Sequence, residues 1–382
     1  MKIQMVDLKG QYQKIKSEVD EAIIACIESA EFINGKLVSA FSENLANYVG
    51  VKHVIPCANG TDALQIALMA LDLQPGDEVI VPSFTYAATA EVIALLKLVP
   101  VMVDVMPDDF SINLTQVKNA IGAKTKAIVP VHLFGQCAGM EELIQIAKEN
   151  NLYIVEDTAQ AIGAKYIFKD GSIHQAGTMG HIGTTSFFPS KNLGCYGDGG
   201  AIFTNNDALA VRLKMMANHG QSKKYQHDVI GVNSRLDTLQ AAILEIKLKH
   251  LDEYCAARNA AADYYDSHLN DIPGITIPKR VANSTHVFHQ YTLKIADGKR
   301  DALKSFLGEK GIPSMVYYPI PLHYQKAYQS NRFPKGIFPV AEELCNIVLS
   351  LPIHTEMNAE MQEYIVMAVK AFFGAEGIRR DA

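Results

Sequence analysis

Apolar residues recur at helical spacing near the start of the chain. Val19, Ala22, Ile23, Cys26, Ile27 and Ala30 fall three or four residues apart and predict a helix over 17–30 with one apolar face. The pattern over 41–48 predicts a second. From Asn59 onward, helical stretches alternate with short apolar runs. Helices are predicted over 61–70, 85–96 and 140–148, and strands over 78–81, 99–105, 127–131 and 152–157. Runs such as Val79-Ile80-Val81 have no polar alternation, as expected of strands buried on both faces. The strand–helix–strand rhythm predicts an α/β fold, a mostly parallel sheet sandwiched by helices. Two further strands, 184–188 and 201–204, flank a turn, and a long helix is predicted over 237–254. Beyond it the pattern changes. Residues 289–295 alternate like a half-exposed strand, and 299–309 read as a helix. We therefore expect a large domain over 1–250 and a smaller α+β domain over 251–382. No internal repeat or low-complexity tract interrupts the chain.

Ligands of such sheets lie beyond the carboxyl ends of the strands. Ser83, His132 and Asp157 fall there. Asp157 follows the apolar run Leu152-Tyr153-Ile154-Val155, and an unpaired carboxylate at the end of a buried strand is costly. It is either a helix N-cap or the partner of a cation, and Gln160 stands three residues on. Lys191 lies among Phe187, Phe188, Pro189 and Leu193. An amine among apolar groups loses charge and gains nucleophilicity. Carboxylate and lysine together suit pyridoxal phosphate, whose ring nitrogen needs a carboxylate and whose aldehyde needs an amine. Gly60 and Thr61 open a helix, where free N–H groups can meet an anion; the same residues also make an ordinary turn and cap. Ser186 is a second candidate for a phosphate. Tyr86, or alternatively Phe84, could stack on a ring. Asn233 and Arg235 precede the long helix, where they could meet an anion or simply cap it. The glycines of Gly197-Asp198-Gly199-Gly200 are expected to serve backbone conformation.

The 382 residues and a net charge of -6, with no Lys/Arg run, argue against a nucleic-acid partner. Six scattered cysteines have no metal-ligand or disulfide spacing, and no metal site is expected. Cys195, close to Lys191, is either a reactive thiol or a packing residue. His286 and His289 read as ordinary strand or loop histidines. The opening residues lack the charged-then-apolar order of a secretion signal, and no run nears the roughly 20 apolar residues that span a bilayer. A soluble, cytoplasmic protein is expected, with no membrane partner.

As an ordered series, Asn59-Gly60-Thr61-Asp62, Pro82-Ser83-Phe84-Thr85-Tyr86, Glu156-Asp157 with Gln160, Ser186 to Lys191, Gly197 to Gly200 and Asn233-Ser234-Arg235 resemble the DegT-type nucleotide-sugar aminotransferases. The resemblance implies fold type I of the pyridoxal phosphate enzymes. It makes Lys191 the Schiff-base lysine and proton shuttle, Asp157 the partner of the ring nitrogen and Gln160 that of the ring oxygen. Gly60, Thr61 and Ser186 would hold the phosphate, and Tyr86 would stack on the ring. Asn233 would reach the phosphate of a neighbouring subunit's cofactor, which implies a homodimer with composite sites.

Within that family, the stretches 187–200 and 232–240 with Tyr318-Pro319-Ile320-Pro321-Leu322 are most similar to the aminotransferases of UDP-2-acetamido-2-deoxy-3-oxo-glucuronate, used in bacterial O-antigen synthesis. That resemblance implies L-glutamate as amino donor and a nucleotide-linked ketosugar as acceptor. Arg235 of the partner could meet the sugar carboxylate, and Tyr318, His323 and Gln11 are candidate sugar contacts. Tyr317 and Phe288-His289-Gln290 depart from the family's usual residues, in regions expected to touch the sugar. Other readings stay open: a 3- or 4-keto-6-deoxy sugar substrate, a dehydratase (in which histidine replaces the lysine), or a ligand-sensing protein without catalysis.

Overall fold

The computed structural model describes residues 2–380. Its main sheet has seven strands in the spatial order His53–Cys57, Gly200–Thr204, Ile182–Ser186, Tyr153–Asp157, Thr125–Ile128, Glu78–Pro82 and Val99–Val103. Only Gly200–Thr204 runs against its neighbours. The other ladders are parallel, as the alternating pattern predicts. Val79, Ile80 and Val81 are buried on both faces of the sheet. One face packs on the helices Gly60–Met69 and Ala88–Leu95, the other on Lys36–Val49 and Met140–Glu149.

Several boundaries differ from those read in the sequence, for physical reasons. The strand predicted over 127–131 ends at Ile128, because Pro130 has no N–H to give the ladder. The helix predicted over 85–96 begins at Ala88, so Tyr86 lies in the preceding loop, 62% exposed. The helix predicted over 237–254 is two, Thr238–Lys249 and Leu251–Leu269, separated by the φ of -101° and ψ of 1° at His250. The strand Tyr291–Ile295 is buried rather than half exposed. Thr292 is buried against Ser350, hydroxyl to hydroxyl at 2.8 Å. In the helix Lys16–Ser29, Val19 and Cys26 are buried, yet Ile24 and Ile27 of the same helix are exposed.

A three-stranded antiparallel sheet, Ile275–Thr276, Tyr291–Ile295 and Val348–Leu351, carries a second core. Ile3 packs into that core beside Tyr265 and Leu293, whereas Leu251 and Cys255 pack with the main sheet. Among the described residues no helix is long and apolar enough to cross a membrane.

The glycines of the 197–200 turn have a different role from the one expected. Gly197, Gly199 and Gly200 do not adopt positive φ. Gly200 is required by close approach: a Cβ there would sit 2.5 Å from the carbonyl carbon of Asn59. That contact is backbone and cannot swing aside. Gly200→Ala should destabilise the fold by about 1–3 kcal/mol, read as a lower urea midpoint with an unchanged slope. An unchanged midpoint would show that the two strands have room to part.

Candidate active site

Successive residues of a strand point to opposite faces, and the pair Glu156-Asp157 uses both. Glu156 points into the protein, where its carboxylate accepts from His132 Nε2 at 2.9 Å and from the N–H groups of Gly177 at 2.9 Å and Met179 at 2.7 Å. His132, expected near the ligand, is therefore a structural residue. It is fully buried, and its Nδ1 accepts from Ala138 N at 3.1 Å. Asp157 points the other way, at the carboxyl end of the strand. Its Oδ2 accepts from Thr89 Oγ1 at 2.9 Å and its Oδ1 from Ala159 N at 3.1 Å. Thr89 was not singled out in the sequence. It lies in the helix Ala88–Leu95, and only the packing of that helix on the sheet brings it to Asp157.

Lys191 sits in a turn fixed from several sides. Its own N–H donates to Phe188 O at 2.8 Å, and Cys195 N donates to Phe187 O at 2.8 Å. Next to it, Asn192 Nδ2 donates to Val287 O at 2.8 Å. Phe187 and Leu193 are buried beneath the turn, although Phe188 is exposed. Burial pulls the Lys191 amine down from 10.5 to about 8, against the opposing pull of the Asp157 carboxylate. Cys195 is a packing residue. Its Sγ donates to Phe187 O at 3.0 Å, and burial pushes the thiol up to about 11.

Lys191 and Asp157 line one cavity of about 660 Å³ with Gly60, Thr61, Tyr86, Gln160, Ser186 and Tyr318. At one end stands the N-terminus of Gly60–Met69, capped by Asn59, whose Oδ1 accepts from Asp62 N at 2.8 Å. A Cβ on Gly60 would lie 2.6 Å from Ser186 Cβ, so the missing side chain lets the helix start and Ser186 share the same cradle. Bare N–H groups and the hydroxyls of Thr61 and Ser186 suit a phosphate. At the other end Gln160 is pinned: Oε1 accepts from Phe134 N at 2.8 Å, and Nε2 donates to Tyr318 Oη at 2.9 Å. Of the two aromatics considered, Tyr86 and not Phe84 lines the cavity; Phe84 is buried and stacks on Phe110. Phosphate cradle, carboxylate, aromatic ring and softened amine fit the shape and chemistry of pyridoxal phosphate.

Four expected residues lie elsewhere. Arg235 Nη1 donates to Asn218 Oδ1 at 3.0 Å, and Arg235 lines a separate cavity of about 830 Å³ with Asn34, Asn47 and Lys214. Asn233 forms a backbone bridge with Asn218. His323 is buried, with Nε2 3.1 Å from Glu342 Oε1, and lines a third cavity with Tyr324. Gln11 is buried and donates to Thr355 Oγ1 at 3.4 Å. His323 and Gln11 thus lie outside the cavity that holds Lys191, each beside a polar partner.

The chain belongs to the DegT/DnrJ/EryC1/StrS aminotransferase family, whose model matches residues 13–370. It is 45% identical to a pleiotropic regulatory protein of Geobacillus stearothermophilus, over 98% of this chain and 99% of that one. It is 43% identical to the UDP-2-acetamido-2-deoxy-3-oxo-D-glucuronate aminotransferase of Pseudomonas aeruginosa, over 96% and 99%. The UDP-N-acetyl-3-dehydro-alpha-D-glucosamine 3-aminotransferase of Acidithiobacillus ferrooxidans is 42% identical over 96% and 97%. Among solved structures, S. venezuelae DesV with a ketimine intermediate superposes with a TM-score of 0.93 at 39% identity, covering 97% and 98%. NtdA of Bacillus subtilis with bound PMP gives 0.87 at 31% identity, covering 94% and 82%.

The ionisation of Lys191 is open to direct test. In cofactor-free protein, acylation of Lys191 followed by peptide mass spectrometry should rise with a midpoint near pH 8. Asp157→Asn removes the opposing carboxylate and should move that midpoint lower. A midpoint like that of a surface lysine would contradict the burial argument.

Proposed function

We propose that this aminotransferase uses pyridoxal phosphate to move an amino group from L-glutamate to a nucleotide-linked ketosugar. The observation that carries this reading is a half-buried lysine in one cavity with a strand-end carboxylate. The cofactor, when bound, supplies an electron sink that stabilises negative charge on the carbon next to the nitrogen. The protein supplies the rest. Asp157, fixed by Thr89 and the Ala159 N–H, would hold the proton on the ring nitrogen. Lys191 Nζ, brought to about 8 and so in part neutral near physiological pH, would take a proton from the amino-acid carbon and return it across the site. Gly60, Thr61 and Ser186 would anchor the phosphate, and Tyr86 would cover one face of the ring.

Among ketosugars, the first candidate is UDP-2-acetamido-2-deoxy-3-oxo-glucuronate, on the strength of the Pseudomonas relative and of Arg235, whose fork suits a carboxylate. This would place the chain in bacterial surface-polysaccharide synthesis, in the cytoplasm. The 3-dehydroglucosamine relative, nearly as similar, supports a second candidate without that carboxylate. Because Arg235 and Asn233 lie outside the cavity of their own chain, we infer a homodimer in which they complete the neighbour's site. Ile24, Ile27, Phe32 and Ile33 form an exposed apolar stretch beside them, with Ile33 bridged to Asp237, and a second copy would cover it.

Absorption spectroscopy tests both half-reactions. Glutamate should bleach the visible band of the holoenzyme, and the 3-oxo-glucuronate sugar should restore it. Restoration by the dehydroglucosamine sugar alone would move the substrate assignment. No bleaching by glutamate would remove the donor assignment and favour the sensing reading. Lys191→Ala should lower turnover by about 10²-fold or more.

A further inference from the structure

The helix Thr238–Lys249 packs behind the Lys191 turn and holds it at two points. Gln240 takes both backbone groups of Tyr196. Its Oε1 accepts from Tyr196 N at 2.9 Å, and its Nε2 donates to Tyr196 O at 3.3 Å. Lys247 follows seven residues on, about two helical turns, and so shares that face of the helix. Its Nζ donates to Gly194 O at 2.5 Å and lies over the Tyr196 ring, 5.3 Å from the ring centre. Both side chains stand behind the turn, outside the cavity, and neither has a task in the proposed chemistry.

Lys247 is a costly residue for its place. It is 1% exposed, and burial pulls its amine down to about 8. The groups whose charge bears on it are the Cys195 thiol and the Arg258 guanidinium, with no carboxylate among them. An ammonium taken out of water without an anion costs more than an apolar side chain of the same length. What the ammonium holds, and an apolar side chain would not, is the Gly194 carbonyl.

Gly194 closes the turn that presents Lys191. A Cβ there would sit 2.3 Å from Pro189 O, so the arms before and after Lys191 touch each other. Across the same turn Lys191 N donates to Phe188 O and Cys195 N to Phe187 O. Asn192 ties the tip to Val287 O. The arm that follows, 194–196, is tied by Gln240 and Lys247. A shift of Gly194 is therefore passed to Pro189, and so to the lysine between them.

We propose that Lys247 is a positioning residue for Lys191: with Gln240 it clamps the 194–196 arm to the helix and fixes where the turn presents the lysine amine. The role rests on the reading of Lys191 as the reactive amine. The buried cation serves placement of the turn more than stability of the fold.

The test compares full-length wild type, Lys247→Met and Gln240→Leu. Methionine keeps the length without the donor, and the urea midpoint of Lys247→Met should stay near that of the wild type. By hydrogen exchange, the amides of Lys191 and Cys195 should open about tenfold faster, with the main-sheet strands unchanged. In the holoenzyme, the maximal rate of bleaching by glutamate should fall about tenfold. The glutamate concentration for half that rate should stay within about twofold, because the amine is displaced and the groups that bind glutamate are not. Wild-type exchange and bleaching rate in Lys247→Met would overturn the proposal. Faster exchange spread evenly over the main sheet would also overturn it, by showing a residue that only stabilises the fold. In either case, bleaching of wild-type holoenzyme by glutamate would still uphold the aminotransferase reading. Should Lys247→Met fail to fold, Gln240→Leu decides by the same readouts. Faster exchange confined to Lys191 and Cys195, with a slower maximal rate, supports the clamp, and an unchanged turn overturns it.

Discussion

The Asp157 carboxylate is held at the end of a buried parallel strand by one hydroxyl and one backbone N–H, and the Lys191 amine is the group that it pulls upward. Two opposed effects meet there. Burial disfavours the ammonium, and the carboxylate favours it. Burial wins, and the amine comes to about 8 in place of 10.5. Much of the surrounding structure serves to keep this balance. Glu156 takes its neighbour's place in the protein with His132 and backbone donors, which fixes the strand end. Asn192 and the buried Phe187 fix the turn that presents Lys191.

The sheet gives this pair its geometry. Parallel strands deliver their carboxyl ends to one edge, where loops and helix starts line the opening. The antiparallel Gly200–Thr204 lies between His53–Cys57 and Ile182–Ser186, and so brings the start of the helix Gly60–Met69 beside Ser186. The meeting of Gly60 and Ser186 is therefore a consequence of strand order as much as of the local turn. Gly60 and Gly200 are the two positions where that approach leaves no room for a side chain.

Much of this was legible in the sequence because it is local. The run 152–155 followed by Glu156-Asp157 marks a buried strand with a carboxylate at its end, and the apolar residues around Lys191 mark a sheltered amine. Gly60 and Thr61 lie on a helix start that is visible from composition. What escaped depends on distant approach. Thr89 has no local feature that marks it as the partner of Asp157. His289 read as a loop histidine, and its place at the cavity appears only in three dimensions. The strand 291–295 alternated as though half exposed, and the pairing of Thr292 with Ser350 appears only in the folded chain. The partners of His323 and Gln11, Glu342 and Thr355, are likewise distant in the chain and carry no local mark.

The central claim is that Lys191, and no other lysine, is the amine that bonds the cofactor. Borohydride reduction of the holoenzyme, followed by peptide mass mapping, tests it most directly. The account predicts one cofactor-bearing peptide, with the added mass on Lys191. Added mass on a different lysine, such as the buried Lys247, or no modification at all, would contradict it.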